Sequence, residues 1–229
     1  MNIYRVILIL GFASMTLGFR VLTTKRWRVS ESDRTLWVKM CPDMSSKSLP
    51  ANSIPDGDPL AGLHPTIKQT VQAVLDNYNQ IGCSYMRLAL YPDDPDNPPA
   101  PEPGDSTFTK TASSDRTIDL CFNEDGNPFV GGRTKFEVSG KRIVGCNITM
   151  GKDTNGDVLN FTETLTHELG HCIGLDHPMD TVNAIMSYFH SDEDFRLLMD
   201  DKMGITHIYP KASCDLKEKN TLGLRCTYR

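Results

Sequence analysis

Three histidines and a glutamate lie close together in the segment THELGHCIGLDHPMD (residues 166–180) of a 229-residue chain that has six histidines in all. Residues four apart project from one face of a helix, so His167 and His171 can place two imidazoles on one metal ion. Glu168 is offset from them by one residue and lies beside that ion. A carboxylate in this position can take a proton from a metal-activated water molecule. The spacing therefore predicts a hydrolytic metal centre.

Gly174 and His177 complete this pattern. Two histidines leave a zinc ion short of protein ligands, and a straight helix would carry the chain away from it. A glycine can adopt the left-handed conformation that ends a helix and turns the chain back, which brings His177 to the same ion. The full pattern, H-E-x-x-H-x-x-G-x-x-H, supplies three neutral imidazoles and an open fourth position, as catalytic zinc sites do. The alternative, three unrelated histidines on a core helix, requires all of these offsets to be coincidental.

Three helices are predicted from the spacing of apolar residues. The helix that carries the histidines is expected to start at Asn160, which can cap it with Glu163 completing a capping box, and to end at Gly174. A second helix is predicted within residues 64–82, with a proline in its first turn and a glycine after its end. The third is predicted over residues 192–209.

Four strands are predicted from alternating apolar and polar residues and from β-favouring residue types. They cover residues 34–40, 84–90, 117–123 and 145–150. Six prolines within residues 91–105 predict a long exposed loop, because they are incompatible with a helix or a central strand. Strands with intervening helices come first, and a mostly irregular region with one helix comes last. The predicted fold class is therefore α+β.

The segment GKDTNGD (residues 151–157) is predicted to be a turn. Asp153, Asn155 and Asp157 alternate in it and could together bind calcium, but the glycine is misplaced for an EF-hand loop. A plain turn is the preferred interpretation, with a calcium site as the alternative.

The composition limits the class of partner. Hydrophobic residues make up 39% of the chain, which is enough for the core of one catalytic domain. The formal net charge of −5 argues against nucleic acid or an anionic membrane surface as the main partner. Lysines and arginines are scattered, apart from a cluster at residues 25–28 that is too short to form a groove.

The first residues predict export. Arg5 precedes an apolar run over residues 6–19, which has the length of a signal-peptide core and is short for a membrane span. Cleavage after Gly18 would make residues 1–18 a signal peptide and the protein secreted, or periplasmic in a bacterium. The alternative is an uncleaved membrane anchor, in which case the membrane would be a partner.

The cysteines predict disulfides. Seven of them are spread singly along the chain, which in an exported protein favours disulfides over a thiolate zinc cluster. The sequence does not determine their connectivity. We expect Cys214 to pair with Cys226, closing the short tail at residues 212–229. We expect Cys41 to pair with a cysteine on another strand, and Cys172 to be the unpaired thiol.

The extended histidine motif resembles that of the metzincins, a clan of zinc endopeptidases. NAIMSYF, which follows the third histidine, resembles the Met-turn of the clan, with Met186 beneath the zinc site. Within the clan the chain resembles the matrixins. KRWRVSESDRTLWVKM is similar to their entry into the first strand, and MDDKMGITHIYP to their last helix with its acidic pair, Asp200 and Asp201. The likeness covers about residues 25–210.

The resemblance implies a metzincin (zincin-like) catalytic domain over residues 19–211. Its upper subdomain, to about residue 177, would hold a twisted mixed sheet with two long helices above it. Its lower subdomain, residues 178–211, would be smaller, mostly irregular and closed by a helix. One catalytic zinc ion is implied. The second, structural zinc of vertebrate matrixins is not expected, because no histidine occurs between His64 and His167.

Two features depart from the matrixin pattern. Tyr188 stands two residues after Met186, where matrixins usually have a proline. It resembles the tyrosine that astacins and serralysins use as a distal zinc ligand and hydrogen-bond donor; the alternative is packing in the pocket wall. The segment KMCPDM around Cys41 only partly resembles the matrixin latency segment, so a disulfide is the preferred prediction for that cysteine.

The residues and the resemblance together predict a monomeric, secreted zinc endopeptidase. Glu168 would be the general base. Substrate would bind extended and antiparallel to an edge strand, for which GCNITM (residues 145–150) is nominated. Tyr188 and Phe189 indicate an apolar pocket for the residue after the cut. The alternatives are an exported zinc-binding module, against which the presence of Glu168 counts, and a zinc hydrolase that is latent or acts on something other than protein.

Overall fold

The structure is a computed structural model, and it describes residues 19–22, 25–42, 44, 47–49, 65–92, 116–123, 131–151, 154, 156–179, 181–188 and 196–214. The predicted signal peptide and most of the proline-rich loop lie outside these ranges. Helices in the described chain are α1 (Ile67–Asn79), α2 (Val158–Cys172) and α3 (Met199–Ile208). None of the helices within these ranges is long and apolar enough to cross a bilayer. Strands are β1 (Arg20–Val21), β2 (Arg26–Trp27), β3 (Thr35–Met40), β4 (Arg87–Leu90), β5 (Thr117–Phe122), β6 (Gly132–Ser139), β7 (Arg142–Met150) and β8 (Leu175–Asp176).

Six of these strands form one mixed sheet. Its order is β2-β7-β5-β3-β4, and β6 pairs with β7 on the side away from β5. Every pairing is parallel except that of β6 with β7. The short strands β1 and β8 pair separately. The predicted α+β class with a mixed sheet is confirmed.

The position predicted for the edge strand is wrong. Residues 145–150 belong to β7, which is paired with β5 on one side and β6 on the other. The edge is formed by β6, which is not among the four predicted strands. Its sequence, GRTKFEVS, alternates charged with uncharged residues, and its first six positions alternate between half-buried and exposed. The period of two was therefore present in the sequence, but the neighbouring glycines obscured it.

Helices α1 and α2 pack against each other and against the sheet. Thr66 caps α1 and forms a capping box with Gln69, and the helix buries the apolar face that its periodicity predicted. From this face Tyr78 donates its hydroxyl hydrogen to the carbonyl of Thr166 in α2 (2.6 Å). Because α2 also packs on β6 and β7, its histidines are fixed relative to the edge of the sheet.

The ends of α2 are set by two different residues. Asp157, rather than the predicted Asn160, caps the helix, and its carboxylate accepts the backbone N–H of Asn160 (2.9 Å). At the other end Gly174 has a φ of +104°, and a Cβ there would lie 3.0 Å from the carbonyl oxygen of Lys25. This conformation and this close approach both require glycine. Of the three residues of the alternative calcium site, Asp157 is thus a helix cap, and Asp153 and Asn155 lie outside the described residues.

The chain after His177 is irregular in its described parts until α3. This helix starts at Met199 instead of residue 192, and residues 189–195 lie outside the described ranges. Its start is fixed by Asp201, whose carboxylate accepts the backbone N–H of Leu198 (2.9 Å). The carboxylate thereby satisfies one of the N–H groups that a helix leaves free at its first turn.

Disulfides join six cysteines of the described chain, in the pairs Cys41–Cys121, Cys83–Cys214 and Cys146–Cys172. The expectation that Cys41 pairs with a cysteine on another strand is confirmed, since Cys121 lies in β5. Two other expectations are wrong. Cys214 bonds to a cysteine before β4 instead of Cys226, and Cys172 bonds to a cysteine in β7. These partners are 131 and 26 residues apart in sequence, so only the fold brings them together.

Candidate metal centre

Three imidazoles converge at the end of α2. The Nε2 atom of His177 lies 3.0 Å from Nε2 of His167 and 3.1 Å from Nε2 of His171. The helix presents His167 and His171 on one face, and the turn at Gly174 brings His177 back to them. One ligand atom from each residue lies within 4.8 Å of the other two. In the described chain this is the one group of three or more side chains arranged to hold a metal ion.

Backbone carbonyls fix the protons on two of these rings. Nδ1 of His167 lies 2.8 Å from the carbonyl oxygen of Ile185, and Nδ1 of His171 lies 3.1 Å from that of Leu175. A carbonyl oxygen only accepts, so both Nδ1 atoms carry a hydrogen, and in the neutral rings both Nε2 atoms carry a lone pair. These lone pairs point towards Nε2 of His177. A cation bound between these lone pairs would stabilise their close approach, as it does in a metal site.

The donor set fits zinc. Tetrahedral zinc with Zn–N bonds of ~2.0–2.1 Å separates its nitrogen ligands by ~3.3 Å, close to the 3.0 and 3.1 Å found here. Imidazole suits zinc, and three imidazoles leave one coordination position for water or substrate. His167, His171 and His177 are therefore the residues that would hold the ion.

His177 is placed so that it favours the neutral form. Its partial burial lowers its pKa, the neighbouring His171 lowers it further, and Asp176 opposes them by raising it. Asp176 is itself paired with Arg20 (3.2 Å) and accepts the backbone N–H of His177 (2.9 Å). A lowered pKa keeps the ring lone pair available, so protons compete less well with a metal ion.

Glu168 is buried and held by the edge strand β6. The residue is 7% exposed, and its Oε2 accepts a hydrogen bond from the hydroxyl of Thr134 (2.6 Å). Gly132 leaves room for it, because a Cβ on Gly132 would overlap Cγ of Glu168. Neither Thr134 nor Gly132 is among the predicted site residues, because β6 is not among the predicted strands. The alternation along β6 was the signal that could have found them.

The turn after His177 supports the site by packing and by hydrogen bonding. Met186 is 1% exposed and lies against α2 at Gly170, where an added Cβ would overlap its Sδ. The close approach of turn and helix therefore requires a glycine at this position. The residue before Met186, Ile185, supplies the carbonyl that orients His167.

A buried carboxylate holds this turn in place. Asp201 of α3 is 2% exposed and accepts the backbone N–H groups of Ile185 (2.8 Å) and Met186 (3.3 Å), besides that of Leu198. Burial raises the pKa of Asp201 to about 6, although the three N–H donors favour the ionised form. The sequence showed Asp201 only as part of a family likeness, because nothing local connects it to a turn 15 residues away.

Tyr188 lies next to His177. Its ring stacks on the imidazole, with centroids 4.2 Å apart and planes 20° from parallel. Its hydroxyl oxygen lies 3.1 Å from Nδ1 of His177, which is the nitrogen on the far side of the ring from the converging Nε2 atoms. The residue is 63% exposed. In this placement Tyr188 contacts a proposed ligand; its predicted role at the metal remains a prediction.

The site lies within a segment that matches a known family. The sequence model of Peptidase_M10, the matrixins, matches residues 103–210. That range contains the three histidines, Glu168, and the turn with Met186. In fold, site and sequence, this part of the chain is therefore similar to a matrixin domain.

One particular relative is the matrilysin of Homo sapiens. The chain is 41% identical to it over 63 residues. The aligned segment is 26% of this chain and 23% of matrilysin. The likeness to this protein thus spans about a quarter of its length.

Proposed function

We propose that this chain is a zinc-dependent endopeptidase that hydrolyses peptide bonds in an extended substrate. The observation that carries the proposal is the convergence of three imidazole Nε2 atoms at the end of the helix that also bears the buried carboxylate of Glu168. The matrixin match and the likeness to matrilysin support it. A site built only to hold zinc for stability would have no use for that carboxylate.

Zinc bound by the three histidines would supply Lewis-acid chemistry, polarising the scissile carbonyl and acidifying a water molecule. Glu168 would take the proton from the attacking water and deliver it to the departing amine, as a general base and then a general acid. The hydrogen bond from Thr134 fixes one carboxylate oxygen, which leaves the other oxygen to handle the proton.

The substrate would bind along the outer edge of β6. Gly151 donates its backbone N–H to the carbonyl of Gly131 (2.6 Å), so the hydrogen-bonded pairs of the β6–β7 ladder fall at the odd-numbered positions of β6. The backbone groups of Gly132, Thr134 and Phe136 consequently face away from β7. An extended peptide can pair with them antiparallel, as an added strand. Because Thr134 also holds Glu168, such a peptide would lie beside the general base.

We assign Tyr188 to the same site. As placed, its ring limits the rotation of His177 and its hydroxyl contacts Nδ1. To donate a hydrogen bond to the oxyanion formed during hydrolysis, the hydroxyl would have to leave this contact. Its exposure gives it room to do so.

Export is part of this proposal. Three disulfides in the described chain fit an oxidising compartment, and residues 1–18 have the pattern of a signal peptide. We therefore propose that the protein acts outside the cell, or in a periplasm. We propose separately that it acts as a monomer.

The decisive experiment compares the full chain with Glu168→Gln on an unfolded protein substrate, with zinc content measured for both. We expect the variant to bind zinc like the wild type while its turnover falls by roughly 10²–10⁴-fold, the range for loss of a general base. Removal of zinc by a chelator should abolish cleavage by the wild type. Glu163→Gln, the same change at a half-buried position five residues earlier in α2, is the matched control and should keep full activity.

The alternatives give different results. If both proteins bind zinc and neither cleaves protein, the site is a zinc-binding module, or belongs to a latent enzyme or one acting on another substrate. If Glu168→Gln cleaves as fast as the wild type, the assignment of the general base is wrong.

A further inference from the structure

A further concave site has none of the three metal-site histidines in its lining. It is a cleft of about 580 Å³ between the chain around β2, the start of β7 and the end of α3. Its described lining contains no acidic residue. We call it the basic cleft because of the basic residues in its lining, which are Lys25, Arg26, Arg28, Lys141, Arg142 and His207.

Strand pairing assembles this cluster from separate segments. β2 pairs with β7 so that Arg26 lies opposite Arg142, and the backbone N–H of Arg26 donates to the carbonyl of Lys141 (3.4 Å). Partners in a ladder project to the same face, so these two arginines lie side by side. Residues 25–28 alone are too short to form a groove, and the cleft forms because Lys141 and Arg142 lie beside them.

The ion pairs of the described chain lie outside the cleft. Arg20 and Arg116, which lie outside the cleft, each pair with an aspartate. None of the five lysines and arginines of the cleft forms an ion pair with a described carboxylate. Like charges held opposite one another destabilise a ladder. An anionic ligand would remove this repulsion. The local charge of the cleft is opposite in sign to the net charge of the chain, which is −5.

The rest of the lining indicates what kind of anion fits. Trp27 is 2% exposed and its ring N–H donates to the carbonyl of Cys172 (2.7 Å). The hydroxyl of Tyr85 donates to the carbonyl of Val29 (3.1 Å), and His207 lies against the ring of Phe19. Trp27 is buried and Tyr85 is half-buried, so neither ring is a fully open platform for stacked bases, which single-stranded nucleic acid would use.

We infer that the basic cleft binds a sulfated polysaccharide. Its volume is in the range of sites for ligands of several rings and far exceeds the size of a single inorganic anion. Guanidinium groups bind oxyanions such as sulfate with two parallel hydrogen bonds. The apolar part of the lining, which includes Val21 and Leu22, can cover the C–H faces of sugar rings. This inference does not depend on the proposed peptidase activity.

The test is calorimetric titration of the full chain with a heparin octasaccharide, in ~150 mM sodium chloride to screen weak surface attraction. We expect the double variant Arg26→Gln with Arg142→Gln to bind at least ~10-fold more weakly, since each lost contact is charge-assisted. Arg28→Gln with Lys141→Gln should behave in the same way. The control, Lys39→Gln with Lys202→Gln, removes the same charge outside the cleft and should bind within about twofold of wild type.

Three results would overturn the inference. One is failure of the wild type to bind the octasaccharide. Another is an equal loss of affinity in the control pair, which would mean that net charge alone is responsible. The third is equal or tighter binding of a hyaluronan octasaccharide, polyglutamate or a single-stranded oligonucleotide, which would assign the cleft to another class of anion. Thermal unfolding without ligand separates binding from folding, because Arg26→Gln with Arg142→Gln should leave the midpoint unchanged or raise it as repulsion is relieved.

Discussion

The two sides of the histidine site are built in different ways. On one side, α2 carries His167, Glu168 and His171 on continuous helix, packed on the sheet. On the other, His177 and the turn at Met186 have little regular structure. That turn is held by single contacts: hydrogen bonds to the buried Asp201 and packing against Gly170.

This difference separates local from distant causes. On the helix side the geometry follows from the rise and turn of a helix, so positions are fixed by spacing alone. On the turn side it depends on groups that are far away in sequence. Substitutions on the helix side should therefore change the stability of the fold. Substitutions on the turn side should change the site through particular contacts.

The largest effect is expected on the helix side, where Cys172 is bonded to Cys146 of β7. Replacing both residues by alanine should lower the free energy of unfolding by about 3 kcal/mol, since a bridge over 26 residues restricts the unfolded chain. Denaturant unfolding would measure this loss. Zinc affinity of the folded protein should change little, because helix geometry and not the bridge sets the histidine positions. A large loss of zinc affinity in a stable, folded variant would show that the helix side also depends on a single contact.

The next effect is a pH dependence on the turn side. The pKa of Asp201 is raised from 3.8 to about 6 in the folded protein, so the folded state binds this proton more tightly than the unfolded state. The stability that Asp201 contributes is thus full below pH 4 and is lost as the pH rises through 6, by up to about 3 kcal/mol.

Asp201→Asn isolates this contribution. Unfolding free energies of the two proteins, measured from pH 4 to 7 with zinc removed by a chelator, should show the advantage of the wild type shrinking as the pH rises. A difference that stays constant or grows over this range would contradict the role given to Asp201.

The smallest effect tests the contact between the two sides. Gly170→Ala places a Cβ where Sδ of Met186 now lies, and the flexible methionine must move. We expect a loss of about 1–3 kcal/mol in unfolding free energy, typical of overpacking, together with weaker zinc binding through the displaced turn. Gly156→Ala adds the same methyl group where no atom lies within 4 Å and should change stability by less than about 0.5 kcal/mol. Equal effects of the two changes would mean that the sides are not coupled through Met186.

The same division between local and distant causes separates the features that the sequence predicted from those that it did not. The histidine ligands, Glu168 and the turn at Gly174 were recognisable because helical spacing is a local property. Thr134 was not, because its role depends on β6 pairing with β7 and packing on α2. The role of Asp201 and the partner of Cys172 were missed for the same reason, since each acts across the fold. The basic cleft also required strand pairing, as its two arginine clusters lie more than a hundred residues apart in sequence.

The overlap of two disulfides in sequence has a consequence for a chain proposed to cut proteins. The loop closed by Cys41–Cys121 overlaps in sequence with the loop closed by Cys83–Cys214. Any single backbone cut between Cys41 and Cys214 falls inside at least one of them. A molecule nicked once by itself or by another copy would therefore stay in one covalent piece, and its fragments would separate only after reduction.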